Sequence, residues 1–404
     1  MAAQREKVAA QHSGAVPRSF ADVLYDPRSR GLLLQALLVA AIVLLGYEVV
    51  SNATDNLQKQ HIASGFGFLE NTAGFDISQS LIAYTNTSSY GRAFWVGLLN
   101  TLLVAALGVV LATAIGFIVG IARLSSNWLI ARLAGVYVEV LRNIPPLLML
   151  FAIYFAVLKT LPAPRDSIAL PFHSYLNVRG LSVPSPVWQE GIWWVVAAFL
   201  IGLCAALLIW WLSARQKVST GRTIAGAGWI GAAVVVVLPL LAFFAFNQPV
   251  VFNTPTIGRF NVTGGLTLLP ELVALLGGLS LYTAAFVAEI VRAGVQGVSK
   301  GQKEAAVALG LSAGQVMRLV VIPQALRIII PPLTNQYLNL TKNSSLAVAI
   351  GYPDLVHVFA GTVLNQTNQA IEVILITMAV YLTISLVTSV LMNWFNARMA
   401  LVER

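Results

Sequence analysis

Eight apolar runs of membrane length constrain the fold of this chain more than any other feature. A helix needs about 20 apolar residues to cross a bilayer. Runs of this kind lie at 31–50, 93–123, 131–159, 191–213, 224–246, 268–292, 326–350 and 371–395. The third and seventh runs are the least regular, because each contains prolines and a charged residue. The sequence therefore predicts an all-α, polytopic integral membrane protein with about eight transmembrane helices.

The composition supports this class and argues against others. Only 10% of the residues are charged and 57% are hydrophobic, whereas about 25% are charged in a soluble domain. The single cysteine, Cys204, lies inside an apolar run, so we expect neither a disulfide framework nor a cysteine metal site. The net charge of +9 comes from basic residues spread along short loops, which does not favour nucleic-acid binding. The first thirty residues are polar and do not resemble a cleavable signal peptide.

The distribution of basic residues predicts the orientation of the spans. With the N-terminus in the cytoplasm, 17 lysines and arginines fall on inner segments and inner span edges, and six fall on outer ones. This asymmetry agrees with the positive-inside rule. We therefore expect residues 1–30 and 398–404 to be cytoplasmic. The segments 51–92 and 160–190 are expected outside the membrane, as irregular loops.

No pattern in the sequence supplies chemistry or an energy source. The dipeptide Gly-Lys is absent, so there is no phosphate-binding loop for ATP. The four histidines are scattered singly, and no strand–turn–helix pattern supports a nucleophile. We predict no catalytic, cofactor or metal site on this chain. A transporter of this kind takes its energy from a partner or from an ion gradient.

The inner segment 293–325 is the part of the chain that distinguishes these two sources. It contains two apolar sets of helical spacing, which are interrupted by Gly310 and which Pro323 is expected to end. The first set is Glu304, Ala305, Ala306 and Leu309, and the second is Val316, Leu319, Val320 and Ile322. Two short helices joined at a glycine form a compact knob that fits a partner protein. The same pattern also fits an amphipathic helix lying on lipid, and the residues alone favour neither.

Several charged and polar residues lie at membrane depth. Glu139 and Arg142, like Glu289 and Arg292, are three positions apart and share a helix face, so each pair is expected to neutralise itself or to act in gating. Near the end of the seventh span lie polar residues that form either a substrate pathway or a set of partners for backbone groups freed by Pro331 and Pro332. These residues include Asn339, Lys342, Ser344 and Ser345.

The segment from Glu304 to Pro323 resembles the EAA loop of binding-protein-dependent ABC permeases. The pattern of that family is EAA-x3-G-x9-I-x-LP, and Val320 and Ile322 are mild departures from it. Flanking motifs resemble the histidine/glutamine-type permeases for polar amino acids, in the long form of the general L-amino-acid permeases. These motifs are Gly97–Thr101, Tyr137–Pro145, Pro270–Glu271, Tyr282–Arg292 and Lys342–Leu346.

The resemblance implies an ABC type I importer permease core of five spans in 93–160 and 265–397. The first span and an insertion at 161–264, which contains two further spans, are additional, and the insertion is either a partner surface or a substrate-tuning element. The cytoplasmic loop 299–323 would couple to an ATPase. Its expected coupling residues are Glu304, Ala305, Ala306, Leu309, Gly310 and Pro323. Tyr282 and Thr283 join Glu139, Arg142, Glu289, Arg292, Asn339, Lys342, Ser344 and Ser345 as candidates for the pathway or gate.

The resemblance also implies partners and a location. We expect two copies of an ABC ATPase that hold ATP and Mg, a second permease that is a paralogue, and a periplasmic amino-acid-binding protein. The chain would import amino acids of broad, polar specificity across the bacterial inner membrane. An alternative is an ion-coupled secondary amino-acid transporter, for which Arg142 and Lys342 are the support. A membrane scaffold or enzyme is a third possibility.

Overall fold

The computed structural model describes residues 27–59, 65–220, 226–247, 250–258 and 261–399. Within these ranges, seven helices are long and apolar enough to cross a membrane, and a bent pair of helices brings the number to eight. The prediction of a polytopic helical membrane protein is therefore confirmed. Of the two terminal segments expected in the cytoplasm, residues 1–26 and 400–404 lie outside the described residues.

Ten helices carry the fold, joined by shorter helical turns. The helices are α1 Pro27–Lys59, α2 Tyr90–Ala122, α3 Trp128–Asn143, α4 Pro146–Thr160, α5 Ile192–Thr220, α6 Ala227–Ala245, α7 Pro270–Gln296, α8 Lys300–Ala308, α9 Ile322–Asn343 and α10 Ala370–Met399. The shorter turns are Phe66–Glu70, Pro164–Asp166, Ala313–Gln315, Val316–Val321, Ser344–Ile350, Val356–Val363 and Leu364–Thr367.

Helices α2 and α7 pack closely along a row of small residues. Gly108, Ala112, Gly116 and Gly120 recur every fourth position on one face of α2, and all four are buried. A Cβ atom on Gly116 would lie 2.5 Å from Cβ of Val287 on α7. Membrane helices associate through such close backbone approach, since lipid gives them little hydrophobic drive to associate. This seam holds the centre of the molecule together.

The span predicted at 131–159 is not one helix. Helices α3 and α4 meet at an angle of 109°, because Pro145 disfavours helical backbone at Ile144 and Pro146 starts a new helix. The hydroxyl of Tyr137 on α3 donates to the Leu281 carbonyl of α7 at 2.7 Å, and farther along, Tyr154 on α4 reaches Glu271 at 2.9 Å. The contacts thus advance along α7 towards its N-terminus, and the pair forms one broken crossing.

The seventh span and the inner segment before it also differ from expectation. Helix α7 continues to Gln296, and α9 runs from Ile322 to Asn343 before it tightens into the turn Ser344–Ile350. Pro323 was expected to end a helix, but it lies in the first turn of α9, so that prediction is wrong. A proline is tolerated there because the N–H of a first-turn residue needs no helical partner.

Short β-strands occupy the segments around α5 and α6. The strands are β1 Ile168–Leu170, β2 Ser174–Asn177, β3 Gly180–Val183, β4 Ser185–Trp188, β5 Val250–Asn253, β6 Thr256–Ile257, β7 Val262–Thr263 and β8 Leu266–Leu268. An antiparallel sheet has the order β1-β2-β3-β8, and two further ladders pair β4 with β5 and β6 with β7. The expectation of an irregular loop at 160–190 is therefore wrong.

The additional helices α5 and α6 form a hairpin. Its helices approach closely at Gly202, where a Cβ atom would lie 3.1 Å from the carbonyl oxygen of Val234. Trp194 stacks on Phe246 near one end, with ring centroids 5.7 Å apart. The β4–β5 ladder joins the outer ends of this hairpin and leads back towards the central helices.

Candidate functional site

Helix α8 forms a knob at the inner end of α7. Its Ala306 is buried in a cluster with Val291, Val316 and Val321, which fixes the helix against α7 and the start of α9. The opposite face is open: Glu304, Ala305 and Val307 are exposed, and Leu309 is 82% exposed. The knob thus has one apolar face that holds it in place. Its other face carries an acid between apolar groups.

Gly310 ends α8 in a closed turn. Its φ is 79°, which an L side chain adopts only at a cost in stability. The Gly310 N–H donates to the Val307 carbonyl at 2.9 Å, and the Leu311 N–H donates to the Ala306 carbonyl at 3.2 Å. This pair of bonds is a Schellman motif, which satisfies carbonyls at the helix end. Ser312 and Gln315 then cap the next helical turn reciprocally, so the shape of the knob is well determined.

A charge triad lies where α2 and α7 end on the same side as the knob. The Glu289 carboxylate accepts from Arg292 on its own helix, with Nη2 to Oε1 at 2.5 Å, and it also pairs with Nη1 of Arg123 at the end of α2. Arg292 in turn donates to Oε1 of Gln296 at 2.5 Å. The expected pairing of Glu289 with Arg292 is therefore present. Arg123 is a third member that the helical spacing did not indicate.

Glu139 and Arg142 do not pair with each other, contrary to expectation. Both side chains are exposed, and the Arg142 guanidinium lies 5.2 Å from the centre of the Phe286 ring on α7. Arg142 stands one residue before the end of α3, where the chain turns sharply into α4. A cation–π contact with α7 therefore replaces the expected ion pair.

A cavity of about 410 Å³ lies between α9 and α10. Lys342 and Ser345, both expected in the pathway, lie on its wall together with Tyr381 and Ser385. The remaining lining residues are Val356, Met378 and Leu382. Among the described residues, the Lys342 ammonium has no hydrogen bond or ion pair. The cavity therefore combines one cation and three hydroxyls with an apolar wall, which suits a small zwitterion.

The proline explanation for these polar residues does not fit their positions. Pro331 and Pro332 leave free the carbonyls four residues earlier, at Arg327 and Ile328. Lys342 lies about three turns beyond these carbonyls. Ser344 and Ser345 instead bond to the carbonyls of Thr341 and Lys342, both at 2.7 Å.

A buried carboxylate stands behind the cavity. Asp354 is fully buried, and its Oδ2 accepts from the Tyr381 hydroxyl at 3.3 Å, while Oδ1 accepts from the His357 backbone N–H at 2.8 Å. Asp354 lies between the last two spanning helices, and burial raises the pKa of its carboxyl to about 7. Tyr381 thus links the cavity wall to a buried acid.

The Gly97–Thr101 motif holds this acid in place. Thr101 Oγ1 accepts from the Leu355 N–H at 3.0 Å, and Asn100 donates to the Pro353 carbonyl at 2.9 Å. A Cβ atom on Gly97 would lie 3.0 Å from Cα of Leu355, so only glycine lets the backbones approach this closely. The motif therefore fixes the segment that presents Asp354.

The other predicted pathway residues are not brought together with this cavity. Thr283 is buried on α7, Tyr282 packs on Phe286 at 5.1 Å, and Asn339 is exposed outside the cavity wall. Ser344 is buried by its bond to the helix backbone. Sequence reasoning missed Arg123, Asp354, Tyr381 and Ser385. Asp354 was detectable as an acid between two apolar runs, whereas the other three required knowledge of helix packing.

The described residues contain no group of three or more His, Cys, Asp or Glu side chains placed to hold a metal ion. The buried and exposed polar groups described above are instead spread along the helices. Chemistry at this site is therefore limited to binding, orientation and movement.

Comparisons with known proteins place this geometry in context. The family model described as "Binding-protein-dependent transport system inner membrane component" matches residues 112–401. The general L-amino acid transport system permease protein AapQ of Rhizobium johnstonii is 53% identical over 386 residues, which are 96% of each chain. The putative amino-acid ABC transporter permease protein YhdX of Escherichia coli is 50% identical over 94% of this chain and 96% of its own. The probable glutamine ABC transporter permease protein GlnM of Bacillus subtilis is 30% identical over 224 residues, which are 55% of this chain and 98% of its own.

Proposed function

As a member of the family of binding-protein-dependent transport system inner membrane components, this chain is a permease subunit of an amino-acid ABC transporter, and we propose that it passes several polar L-amino acids. It is a transporter subunit and not an enzyme. The family implies an ATPase and a binding protein as partners. The observation that carries the proposal is the fixed knob of α8, whose outer face is free for a partner while its inner face is locked to α7.

In the proposed mechanism, the ATPase holds the exposed face of α8 around Glu304 and Leu309. Ala306 and the Gly310 turn keep this face rigid, so a push on α8 moves α7 and not the loop alone. Helix α7 packs tightly on α2 through Gly116, and the Glu289 triad ties the inner ends of the two helices. A switch between two packings of similar energy then opens the pathway to either side.

The cavity beside Lys342 is the proposed passage for the amino acid. The Lys342 ammonium would bind the substrate carboxylate, a charge-assisted contact that all amino acids offer. The hydroxyls of Ser345, Tyr381 and Ser385 would bind the ammonium group or polar side chains. Because these hydroxyls both donate and accept, the cavity suits acidic, amide and neutral side chains alike.

The remaining proposals concern assembly and orientation. Two ATPase copies would serve a pair of permeases, of which the second is a paralogue of this chain. We place the protein in the bacterial inner membrane, with both termini and α8 in the cytoplasm. The excess of basic residues on that side supports this orientation.

Uptake by the reconstituted complex tests the proposal. The permease is placed in proteoliposomes with its co-purifying permease and ATPase and with the binding protein, and ATP is supplied on the α8 side. We expect ATP-dependent uptake of labelled glutamine, with competition from unlabelled acidic, amide and neutral amino acids. Competition from glutamine alone would contradict the broad specificity, and uptake without ATP would contradict the energy source.

A further inference from the structure

The β1–β2 hairpin ends in two residues whose backbone conformation is unfavourable. Phe172 has a φ of 61° and His173 a φ of 54°, in the left-handed region that glycine and asparagine adopt readily and aromatic residues rarely do. Residues held in such conformations are associated with functional sites, because the surrounding structure must compensate for their cost. The tip therefore carries a strain that a simple connecting turn does not need.

The tip also presents an aromatic ring to its surroundings. The Phe172 side chain is 87% exposed, and His173 beside it is exposed as well. The strand before them adds Ile168 and Leu170, which are also exposed, so the tip forms an apolar projection. Aromatic side chains are enriched in protein interfaces and contribute large contact areas there.

The hairpin is firmly attached to the transport helices. Strand β2 pairs with β3, and β3 pairs with β8, which ends two residues before α7 begins. Gly180 at the start of β3 lies so close to β8 that a Cβ atom would lie 2.1 Å from the Leu268 carbonyl oxygen. The Val178 N–H also donates to the Pro162 carbonyl beyond α4 at 2.9 Å. A contact at the tip is therefore transmitted to α4 and α7.

The position of the hairpin identifies which partner it meets. Helix α7 has 27 residues and is about 40 Å long, with β8 at its N-terminus and the α8 knob at its C-terminus. The hairpin thus lies on the opposite side of the membrane from the proposed ATPase surface. On that outer side, the partner that the family implies is the binding protein.

From this geometry we propose that Phe172 and His173 form a docking contact for the amino-acid-binding protein. The strained turn holds the ring away from the sheet, so that it inserts into a surface of the binding protein. The sheet then conveys the contact to the outer end of α7. This inference rests on the proposed function, because it requires a binding protein as partner.

The test uses the complete complex in nanodiscs and measures ATP hydrolysis against the concentration of amino-acid-loaded binding protein. The variants Phe172→Asn and His173→Asn remove the aromatic rings, while asparagine tolerates the left-handed backbone and keeps the turn. We expect the half-saturating concentration of binding protein to rise roughly tenfold for Phe172→Asn, the loss typical of an interface anchor. Hydrolysis without binding protein should stay unchanged, and the melting temperature should stay equal or rise.

Two controls make the result decisive. Phe252→Thr removes an exposed phenylalanine from β5, on the other outer ladder, and is expected to leave the half-saturating concentration unchanged. An equal effect in this control, or no effect of Phe172→Asn, would overturn the docking role while wild-type stimulation still supports the proposed function. Absence of stimulation in the wild type would overturn both.

Cross-linking distinguishes the binding protein from other occupants. Phe172→Cys, made in a Cys204→Ser background, is labelled with a photoreactive benzophenone and irradiated with the loaded binding protein present. A cross-link to the binding protein supports the proposal. Cross-links only to lipid or only to the second permease would overturn it.

Discussion

Charged residues near the membrane differ in how they are satisfied, and this difference separates structural from functional groups. Glu289 binds two arginines, Arg142 faces the Phe286 ring, and Asp354 accepts two hydrogen bonds. Lys342 is different, because its ammonium faces a cavity and meets no acceptor among the described residues. An intramembrane charge without a partner is costly unless a ligand supplies one. Lys342 is therefore the residue that we expect to hold the substrate carboxylate.

Replacing Lys342 tests this role. Lys342→Met keeps the length of the side chain and removes its charge, so the substrate carboxylate loses a charge-assisted hydrogen bond. We expect the KM for ATP-driven uptake to rise roughly tenfold or more, with the melting temperature nearly unchanged. Lys159→Met, at the end of α4, is the matched control and should transport like the wild type. Equal KM values for Lys342→Met and the wild type would contradict the role.

Asp354 makes stability depend on pH. Burial raises the pKa of its carboxyl from 3.8 to about 7 in the folded protein. The folded state thus favours the protonated carboxyl, and the resulting stabilisation is lost as the pH rises through about 7. Asp354→Asn cannot ionise, and we expect its melting temperature to fall less than that of the wild type between about pH 6 and about pH 8. Parallel melting curves for the two proteins would show that the carboxyl is not perturbed. Asp166→Asn, at an exposed outer site, is expected to follow the wild type.

At the scale of elements, the contact between α2 and α7 determines how motion at one helix reaches the other. Gly116 and Gly120 let the backbones approach, so that the helices move as one unit. The Glu289 triad adds a polar link at their inner ends. Together these contacts make the pair a stiff connection between the α8 knob and the cavity side of the molecule.

A side chain at Gly116 should separate these helices. Gly116→Ala places a Cβ atom 2.5 Å from that of Val287, and we expect a loss of about 1–3 kcal/mol in the free energy of unfolding. Gly277→Ala on α7 is the matched control, because nothing lies within 4 Å of its added Cβ. That variant should be neutral or slightly stabilised, since alanine favours helix. Thermal unfolding in detergent measures both, and equal melting temperatures would contradict the packing argument.

The elements that could be predicted from the sequence are those with local signals. Apolar length located the spans, and the glycine between two apolar sets located the turn at Gly310. The break between α3 and α4 had a local signal in Pro145 and Pro146, yet the apolar run across it suggested one helix. The strands had weaker signals still, because β3 pairs with β8, which lies more than 80 residues later in the chain.

At the scale of the whole molecule, α7 connects three proposed sites. Its outer end joins the sheet that carries Phe172, its middle packs against the broken span, and its inner end leads to α8. A binding protein and an ATPase on opposite sides would therefore act on one rigid helix. This arrangement gives a physical path by which delivery of an amino acid outside controls hydrolysis inside.

The candidate sites differ in how far the sequence could define them. The coupling residues form a contiguous segment, so their pattern was visible before the fold, although the burial of Ala306 was not. The cavity is built from α9 and α10, and only Lys342 and Ser345 could be suspected from their membrane depth. Tyr381 and Ser385 resemble ordinary residues of an apolar helix until packing places them opposite Lys342.

The central claim is that transport energy enters this chain through the exposed face of α8. Leu309→Asp places a charge where the ATPase is proposed to bind, without disturbing buried Ala306, and Leu81→Asp makes the same change at an exposed outer leucine. The decisive measurement is amino-acid uptake by proteoliposomes that contain the complete complex, with and without ATP. We predict ATP-dependent uptake that Leu309→Asp abolishes and Leu81→Asp preserves, and no uptake by this chain alone under an ion gradient. Wild-type uptake by Leu309→Asp, or uptake by this chain alone that an uncoupler stops and ATP depletion does not, would contradict the claim.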